Sequence, residues 1–170
     1  MRNIEIKARI QDLKGLLEKA KLISNSEGTI IKQHDTFYKI PQGRFKLRKF
    51  ESGNSELIYY NRLDVEGPKL STYKKLDIDK RDTDDFHTIM SDALGIVGAV
   101  EKVRHLFLVS QTRIHVDIVK GLGNFVELEV VLAPEQTVHE GERIAYSLME
   151  LLDIRKNDLI SGAYQDLMNS

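Results

Sequence analysis

Cysteine is absent from this 170-residue chain, so neither a disulfide bond nor a thiolate metal site is available to it. Its absence is typical of proteins from a reducing compartment, and we expect a cytoplasmic protein. No apolar run approaches the roughly 20 residues that a membrane-spanning helix requires. The first five residues, Met1 to Glu5, also lack the apolar core of a signal peptide. We therefore expect no membrane association.

A surplus of either charge is also lacking, because 25 basic residues nearly balance 26 acidic ones and the formal charge is −1. A chain without a basic surplus has no general attraction for nucleic acid, and we expect no nucleic-acid partner. The proportions of hydrophobic residues (41%) and charged residues (30%) are those of an ordinary globular protein. The length suits a single domain that covers residues 1–170.

What the sequence does have is strict alternation of apolar and polar residues in several segments. The first covers residues 3–10, with apolar residues at the even positions and polar residues at the odd positions. Since successive side chains of a strand point to opposite faces, the pattern predicts a strand with one charged face. The same reasoning predicts strands over residues 30–38, 44–48, 56–63, 71–79, 100–109, 111–119 and 125–132.

Helices are predicted between these strands. One follows the N-cap residue Asp12, and two others cover residues 82–95 and 138–152. A short packed helix is expected in the tail that ends at Ser170. Two β-rich halves, each with its own helix, suggest a structural pseudo-repeat without a detectable sequence repeat.

The charged strand faces are the most informative feature of the sequence. They carry four acids and nine bases, and a shared cavity would therefore hold a surplus of five positive charges, comparable in size to the charge of a triphosphate. A charged strand face is usually just solvated, but recurrence on five or six strands favours a closed barrel with a polar, ligand-filled interior. The predicted fold class is α+β: a closed eight-stranded antiparallel β tunnel with helices packed outside. The thirteen residues are Glu5, Asp117, Glu127, Glu129, Lys7, Arg9, Arg44, Lys46, Arg48, Arg62, Lys102, Arg104 and Arg113.

The carboxylates also have a chemical interpretation of their own. Glu127 and Glu129 lie two residues apart on one predicted strand, and Glu5 lies on another. Carboxylate oxygens are the ligands that Mg²⁺ and Mn²⁺ prefer, so these side chains are candidate ligands for either ion. The sequence has no Gly-rich phosphate-binding loop, so phosphate binding would depend on side chains.

Three segments together resemble the CYTH superfamily, also called the triphosphate tunnel metalloenzymes: residues 4–9 (I-E-I-K-A-R), 43–48 (G-R-F-K-L-R) and 125–129 (F-V-E-L-E). That group includes class IV adenylyl cyclases, thiamine triphosphatases and inorganic triphosphatases. The resemblance runs over essentially the whole chain and implies an eight-stranded antiparallel tunnel, divalent-metal dependence and a small-molecule triphosphate substrate. Asn3 stands where the family has the first acid of its opening E-x-E-x-K signature.

The resemblance also implies roles for particular residues. Glu5, Glu127 and Glu129 would be metal ligands, with Asp117 assisting in the metal or water shell. The phosphate-binding bases would be Lys7, Arg9, Arg44, Lys46, Arg48, Arg62, Lys102, Arg104 and Arg113, of which Arg44 lies nearest a turn. The catalytic set expected from it is Glu5, Lys7, Arg48, Arg113 and Asp117.

Three functions remain open at this point. The leading one is metal-dependent hydrolysis of inorganic tripolyphosphate, thiamine triphosphate or a nucleoside triphosphate. A second is an adenylyl cyclase, which needs an adenine pocket that the sequence does not identify. A third is a non-catalytic module that binds polyphosphate or nucleotide. A homodimer is possible in each case.

Four other residues have an ordinary structural interpretation beside a functional one. His115 either contacts substrate or relays a proton, or is a structural histidine bonded to Asp117. Tyr60 either reaches into the tunnel or packs within the sheet. Tyr164 closes one end of the tunnel or packs in the core. Lys75 is solvated unless it faces the tunnel.

Overall fold

The computed structural model describes residues 1–168 and contains eight strands and four α-helices. The strands are β1 (Arg2–Arg9), β2 (Thr29–Tyr38), β3 (Arg44–Phe50), β4 (Ser55–Arg62), β5 (Lys69–Ile78), β6 (Ile96–Val109), β7 (Thr112–Val119) and β8 (Gly123–Val131). The helices are α1 (Leu13–Ser24), α2 (Lys80–Leu94), α3 (Val138–Leu151) and α4 (Tyr164–Met168), and a 3₁₀ turn covers Lys156–Asp158. The tail helix predicted up to Ser170 is thus present as α4, although its last two predicted residues lie outside the described part of the chain.

The strands form one closed antiparallel barrel in the order β1-β5-β4-β3-β2-β6-β7-β8. β1 closes the barrel because it pairs with β5 on one side and with β8 on the other. The predicted fold class is therefore confirmed. Closure pairs every strand on both edges, so the barrel has no free sheet edge.

The largest hydrophobic cluster lies outside the barrel, between its outer face and the helices. The outward residues of β1, Ile4, Ile6 and Ala8, are almost completely buried in a cluster that also contains Leu16 of α1 and Leu148 of α3. Apolar burial is the main stabilising contribution to folding, so the outer face of the strands is the one that binds the helices. The alternation then directs the charged face of each strand into the barrel.

The boundaries differ most from the predicted ones at β6, which begins at Ile96 and not at Val100. β2 pairs with β6 along its whole length, up to the pair of Tyr38 with Ile96. Pairing with β2 therefore extends β6 back to Ile96, through a segment in which apolar and polar residues do not alternate.

One end of the barrel is covered by the C-terminal segment. Tyr164 packs against Phe125 with 5.0 Å between ring centroids, and Phe37, Val100 and Val119 complete this cluster. The segment is also joined to β1, since the Ile160 amide donates to the carbonyl oxygen of Lys7. No helix within residues 1–168 has the length and apolar character needed to cross a membrane.

Candidate functional site

The interior of the barrel encloses a cavity of about 240 Å³. Strand alternation supplies its lining, because every second residue of each strand points inward. Its charged lining residues are Glu5, Lys7, Asp35, Lys46, Arg48, Glu56, Arg62, Lys75, Lys102, Arg104, Arg113, Glu127 and Glu129. The cavity lining thus contains seven of the nine predicted phosphate-binding bases and three of the four predicted metal-site acids.

The charge of the cavity is smaller than the sequence suggested. Eight basic and five acidic side chains line it, which leaves a surplus of three positive charges in place of the predicted five. Two acids that sequence reasoning missed, Asp35 and Glu56, account for part of the difference. Lys75 does face the cavity, where its ammonium lies 2.8 Å from the Glu56 carboxylate.

Arg9 and Arg44 are in phase with the inward residues of their strands but do not line the cavity. Arg9 is exposed at the end of β1, where its guanidinium lies 5.2 Å from the Phe125 ring centroid. Arg44, at the first position of β3, donates to Asp64 and Asp166. Both side chains lie at strand ends and outside the cavity lining, and their role as phosphate ligands stays a prediction.

Asp117 does not itself line the cavity, although it is in phase with the lining residues Arg113 and His115 on β7. Its side chain is completely buried and accepts two hydrogen bonds from Arg104, each at 2.8 Å, and one from the Tyr164 hydroxyl, also at 2.8 Å. Arg104 also donates to Glu127 at 2.9 Å. In this geometry Asp117 orients Arg104, and its assistance in the metal or water shell stays a prediction.

The remaining acids face one another across the β1–β8 pair. Glu5 is paired in register with Glu129, and Lys7 with Glu127. Like charges directly opposite each other on paired strands repel. Burial, and the neighbouring Glu129 and Glu127, raise the pKa of Glu5 despite its ion pair with Arg62. A cation placed between these carboxylates would relieve that repulsion.

The donor set suits a hard divalent cation by its chemistry, since three carboxylates lie on the paired strands β1 and β8. As they stand, the three are ion-paired to bases: Glu5 to Arg62, Glu127 to Arg104, and Glu129 to Arg113. Within residues 1–168, no three acidic or histidine side chains are already placed to hold a metal. Metal binding at Glu5, Glu127 and Glu129 would therefore require these side chains to move closer to one another.

The opposite wall of the cavity is organised around Asp35. This carboxylate is 1% exposed and contacts Lys46, Arg48 and Lys102. Burial, together with repulsion by Arg48, lowers the pKa of Lys46 to about 7. Burial likewise lowers the pKa of Lys102 to about 8, although Asp35 acts in the opposite direction. The ammonium groups on this wall therefore lose protons close to neutral pH.

His115 lines the cavity beside the acids. Burial, and then the Arg104 charge, lower its pKa to about 4, so the imidazole is neutral at pH 7. Its Nδ1 lies 4.0 Å from Glu129 and has no hydrogen-bond partner among the described residues. The alternative of a structural histidine bonded to Asp117 is therefore not supported, and a contact with bound ligand stays a prediction.

The end of the cavity near the C-terminal segment is closed by Ala163 and Tyr164, which line it. The carbonyl oxygen of Gly162 accepts hydrogen bonds from Lys7 at 3.2 Å and from Arg62 at 2.7 Å. The Tyr164 ring centroid lies 4.0 Å from the Lys7 ammonium. Tyr164 thus both closes this end and packs in a core cluster, as its two interpretations separately proposed.

A second cavity, of about 650 Å³, lies outside the barrel between α2 and the outer faces of β2, β3 and β6. Its basic residues are matched by exposed acids, for example Lys32 by Glu51 at 3.1 Å and Lys120 by Glu101 at 3.0 Å. The surplus of positive charge that would attract a strongly anionic ligand therefore lies in the cavity inside the barrel, and the second cavity lacks such a surplus.

A closed antiparallel barrel with cations and carboxylates on its inner face defines the class of triphosphate-tunnel proteins. The chain matches the CYTH domain over residues 1–164 and belongs to that family. No curated protein matches the sequence.

Solved structures share the fold at low sequence identity. PH1012 from Pyrococcus horikoshii has 20% identity and a TM-score of 0.80, with 97% of this chain and 98% of that chain covered. A Vibrio parahaemolyticus protein described as a "putative adenylate cyclase" has 17% identity and a TM-score of 0.77, covering 99% and 98%. The RNA triphosphatase Pct1 from Schizosaccharomyces pombe has 13% identity and a TM-score of 0.55, covering 92% and 85%.

Proposed function

We propose that this protein is a divalent-metal-dependent triphosphatase that hydrolyses inorganic tripolyphosphate inside the barrel. The observation that carries the proposal is the enclosed cavity with eight bases on its walls and three carboxylates grouped on β1 and β8. Phosphate oxygens bind to guanidinium and ammonium groups through charge-assisted hydrogen bonds.

Charge balance supports both the ligand and the metal. Tripolyphosphate carries roughly four to five negative charges near neutral pH, since each terminal phosphate contributes about −1.5 to −2. The surplus of three positive charges in the cavity falls short of that value. One divalent cation on Glu5, Glu127 and Glu129 would bring the total to five and match the ligand.

The size of the cavity favours an inorganic ligand over a nucleotide. Its volume of about 240 Å³ is below the range of roughly 300–1,000 Å³ that pockets for drug-sized ligands occupy. The C-terminal segment closes the end near Tyr164, so a base or sugar cannot extend in that direction. Tripolyphosphate has neither a base nor a sugar, so the closed end does not exclude it.

Each part of the lining then has a role in hydrolysis. Lys46, Arg48 and Lys102 hold one end of the phosphate chain, while Lys7 and Arg62 lie beside the carboxylates at the other wall. Glu5, Glu127 and Glu129 would hold the divalent cation, which would supply neutralisation of charge on the phosphate oxygens. A water molecule attacks the terminal phosphorus, the bridging P–O bond breaks, and the products are orthophosphate and diphosphate.

Phosphorus NMR of the purified protein tests this proposal directly. Tripolyphosphate, ATP and thiamine triphosphate are supplied separately with Mg²⁺ or Mn²⁺, and each reaction is repeated with EDTA. We expect orthophosphate and diphosphate from tripolyphosphate, slower or no release from the two organic substrates, and no reaction with EDTA.

The other outcomes distinguish the alternatives. Diphosphate together with cyclic AMP from ATP would make the protein an adenylyl cyclase. Tight binding of tripolyphosphate without turnover in either metal would make it a binding module. Release from thiamine triphosphate alone would contradict the choice of an inorganic substrate while keeping the hydrolase.

A further inference from the structure

Asp35 is a buried carboxylate that contacts three cations from two different strands. Its Oδ1 accepts from Arg48 Nε at 2.9 Å, and its Oδ2 accepts from Arg48 Nη2 at 2.8 Å and from Lys102 Nζ at 2.9 Å. Lys46 Nζ lies 3.3 Å from the same Oδ2. The two neighbouring strands, β3 and β6, are thus joined through β2 by one side chain.

Without Asp35, these three cations would repel one another. Lys46, Arg48 and Lys102 all line the same wall of the cavity, and each side chain is at most 12% exposed. Buried like charges at this separation are unfavourable unless a counter-ion is present. One carboxylate therefore permits three positive charges to share a small area of the wall.

Asp35 leaves most of the donors in this cluster unused. It takes two of the five N–H groups of Arg48 and one of the three of Lys102, while Lys46 pairs with it by charge at 3.3 Å. The remaining N–H groups belong to side chains that face the cavity, where phosphate oxygens can accept from them.

We propose that Asp35 is a positioning residue that gathers Lys46, Arg48 and Lys102 into one phosphate-binding cluster on the cavity wall. The inference rests on the proposed function, because a triphosphate is the ligand whose terminal phosphate this cluster would hold. Asp35 itself does not contact the substrate, since its oxygens are already occupied by the three bases.

The charge of Asp35 also keeps the two lysines protonated. Burial and Arg48 lower the pKa of Lys46 to about 7, and Asp35 opposes that shift. Loss of the Asp35 charge would lower the pKa values of Lys46 and Lys102 further, and their ammonium groups would deprotonate at a lower pH. The other charged or titratable groups that act on this cluster are Arg104, Glu56, Asp117, Tyr60 and Tyr164.

The test is the pH profile of tripolyphosphate binding, measured by isothermal titration calorimetry in EDTA between pH 6 and 9. Asp35→Asn keeps the shape of the side chain and removes its charge. We expect the affinity to fall on the order of 10- to 100-fold at pH 7, the loss expected for charge-assisted hydrogen bonds. We also expect the pH midpoint of binding to move to lower pH.

The matched control is Glu101→Gln, an acid-to-amide change on β6 at an exposed residue that pairs with Lys120 outside the barrel. Its binding profile should equal that of the wild type. The ionisation of tripolyphosphate is common to all variants, so a difference between profiles belongs to the protein. A lower melting temperature in Asp35→Asn with an unchanged profile would show a merely structural role and overturn the inference.

A second variant, Asp35→Glu, keeps the charge and displaces the carboxylate by one methylene. Asp35→Glu should retain the wild-type pH midpoint of binding while binding tripolyphosphate less tightly. If circular dichroism shows that Asp35→Asn does not fold, this variant alone tests the positioning role. Wild-type affinity in Asp35→Glu at every pH would overturn the positioning role. Binding and turnover are measured separately: a wild type that binds without hydrolysis in Mg²⁺ contradicts the triphosphatase alone, and a wild type that binds tripolyphosphate neither in EDTA nor in Mg²⁺ contradicts both.

Discussion

Arginine and lysine serve different purposes inside this barrel. Arg48 and Arg104 each form two parallel hydrogen bonds to a buried aspartate, and their guanidinium groups remain charged. Lys46 and Lys102 instead have pKa values lowered by burial to about 7 and about 8. The arginines therefore fix the architecture of the wall, while the lysines respond to pH and to an arriving anion.

Replacing Lys46 by methionine should separate stability from binding. The folded-state pKa of about 7 lies below the ordinary 10.5, so the charged ammonium is disfavoured by folding at neutral pH. We expect Lys46→Met to raise the melting temperature of the empty protein by about 2–4 °C, corresponding to about 1 kcal/mol. Tripolyphosphate affinity should fall at least tenfold, an effect on the order of 1.4 kcal/mol.

Differential scanning fluorimetry and calorimetric titration measure these two effects. Lys49→Met is the matched control, because Lys49 is on the same strand, is exposed and pairs with Asp84 outside the barrel. The control should change neither quantity. A lower melting temperature of Lys46→Met together with intact binding would contradict this account of the cavity lysines.

Glu127 is the acid whose loss should affect hydrolysis most directly. It lies 3.8 Å from Lys7 and 2.9 Å from Arg104, beside the two other candidate metal ligands. We expect Glu127→Gln to reduce metal-dependent phosphate release by on the order of 100-fold or more. It should also weaken the binding of Mn²⁺, measured by electron paramagnetic resonance.

The amide retains the shape of Glu127, so the variant should fold, and its circular dichroism spectrum should match the wild type. Glu135→Gln, at an exposed position beyond β8, is the control and should keep full activity. Wild-type turnover in Glu127→Gln would remove Glu127 from the proposed metal site.

Among the elements, α3 packs tightly against the core at Gly141. A Cβ added there would lie 2.6 Å from Ile4 Cγ1 and 2.6 Å from Leu132 Cδ2, both in the core outside the barrel. Distances this short cannot be accommodated without movement of buried side chains. The helix thus presses on the outer face of β1, whose inner face carries Glu5 and Lys7.

Gly141→Ala should therefore destabilise the protein although alanine favours helix formation. Overpacking a core costs about 1–3 kcal/mol, whereas the gain in helix propensity is about 1 kcal/mol. We expect a net loss of about 1 kcal/mol in the free energy of unfolding by urea. Ser147→Ala, at an exposed position of α3, is the control, and increased stability of Gly141→Ala would show that α3 has room to move outward.

At the scale of the whole molecule, apolar residues stabilise the outside of the barrel while charges fill its centre. Lys7, Lys46, Lys69 and Lys102 all have pKa values lowered by burial. The empty protein is therefore stabilised by proton loss from these groups, whereas an anionic ligand favours their protonated forms. Stability and ligand binding thus depend on pH in opposite directions.

The melting temperature of the empty protein should rise between pH 7 and pH 9. For a lysine whose folded-state pKa is about 7 or about 8, the unfolded state binds more protons in this range, and stability increases with pH. Tripolyphosphate should stabilise the protein most at pH 7, by about 2.7 kcal/mol at 100 times its Kd. Fluorimetry in EDTA measures both, and a melting temperature that falls steadily from pH 7 to pH 9 would contradict the assignment.

The sequence by itself determined the approximate strands and, on most of them, the face that carries charge. Alternation over residues 3–10, 111–119 and 125–132 predicts which face points inward, and the structure places Glu5, Lys7, Arg113, Glu127 and Glu129 on the cavity lining. The closed barrel followed from the same pattern, because charged faces on many strands need a shared interior. The roles of individual residues in metal binding and catalysis stay predictions.

The tertiary structure decided how far along the barrel each side chain lies and which residues it contacts. Arg9 and Arg44 have the right phase but lie at strand ends, beyond the cavity, because alternation fixes the face of a strand and not the distance along the barrel. Asp35 was missed because its neighbours on β2 are largely uncharged, so no charged stripe marks that strand. Its three cations come from β3 and β6, and the register that joins these strands arises from long-range pairing, which a single sequence does not display.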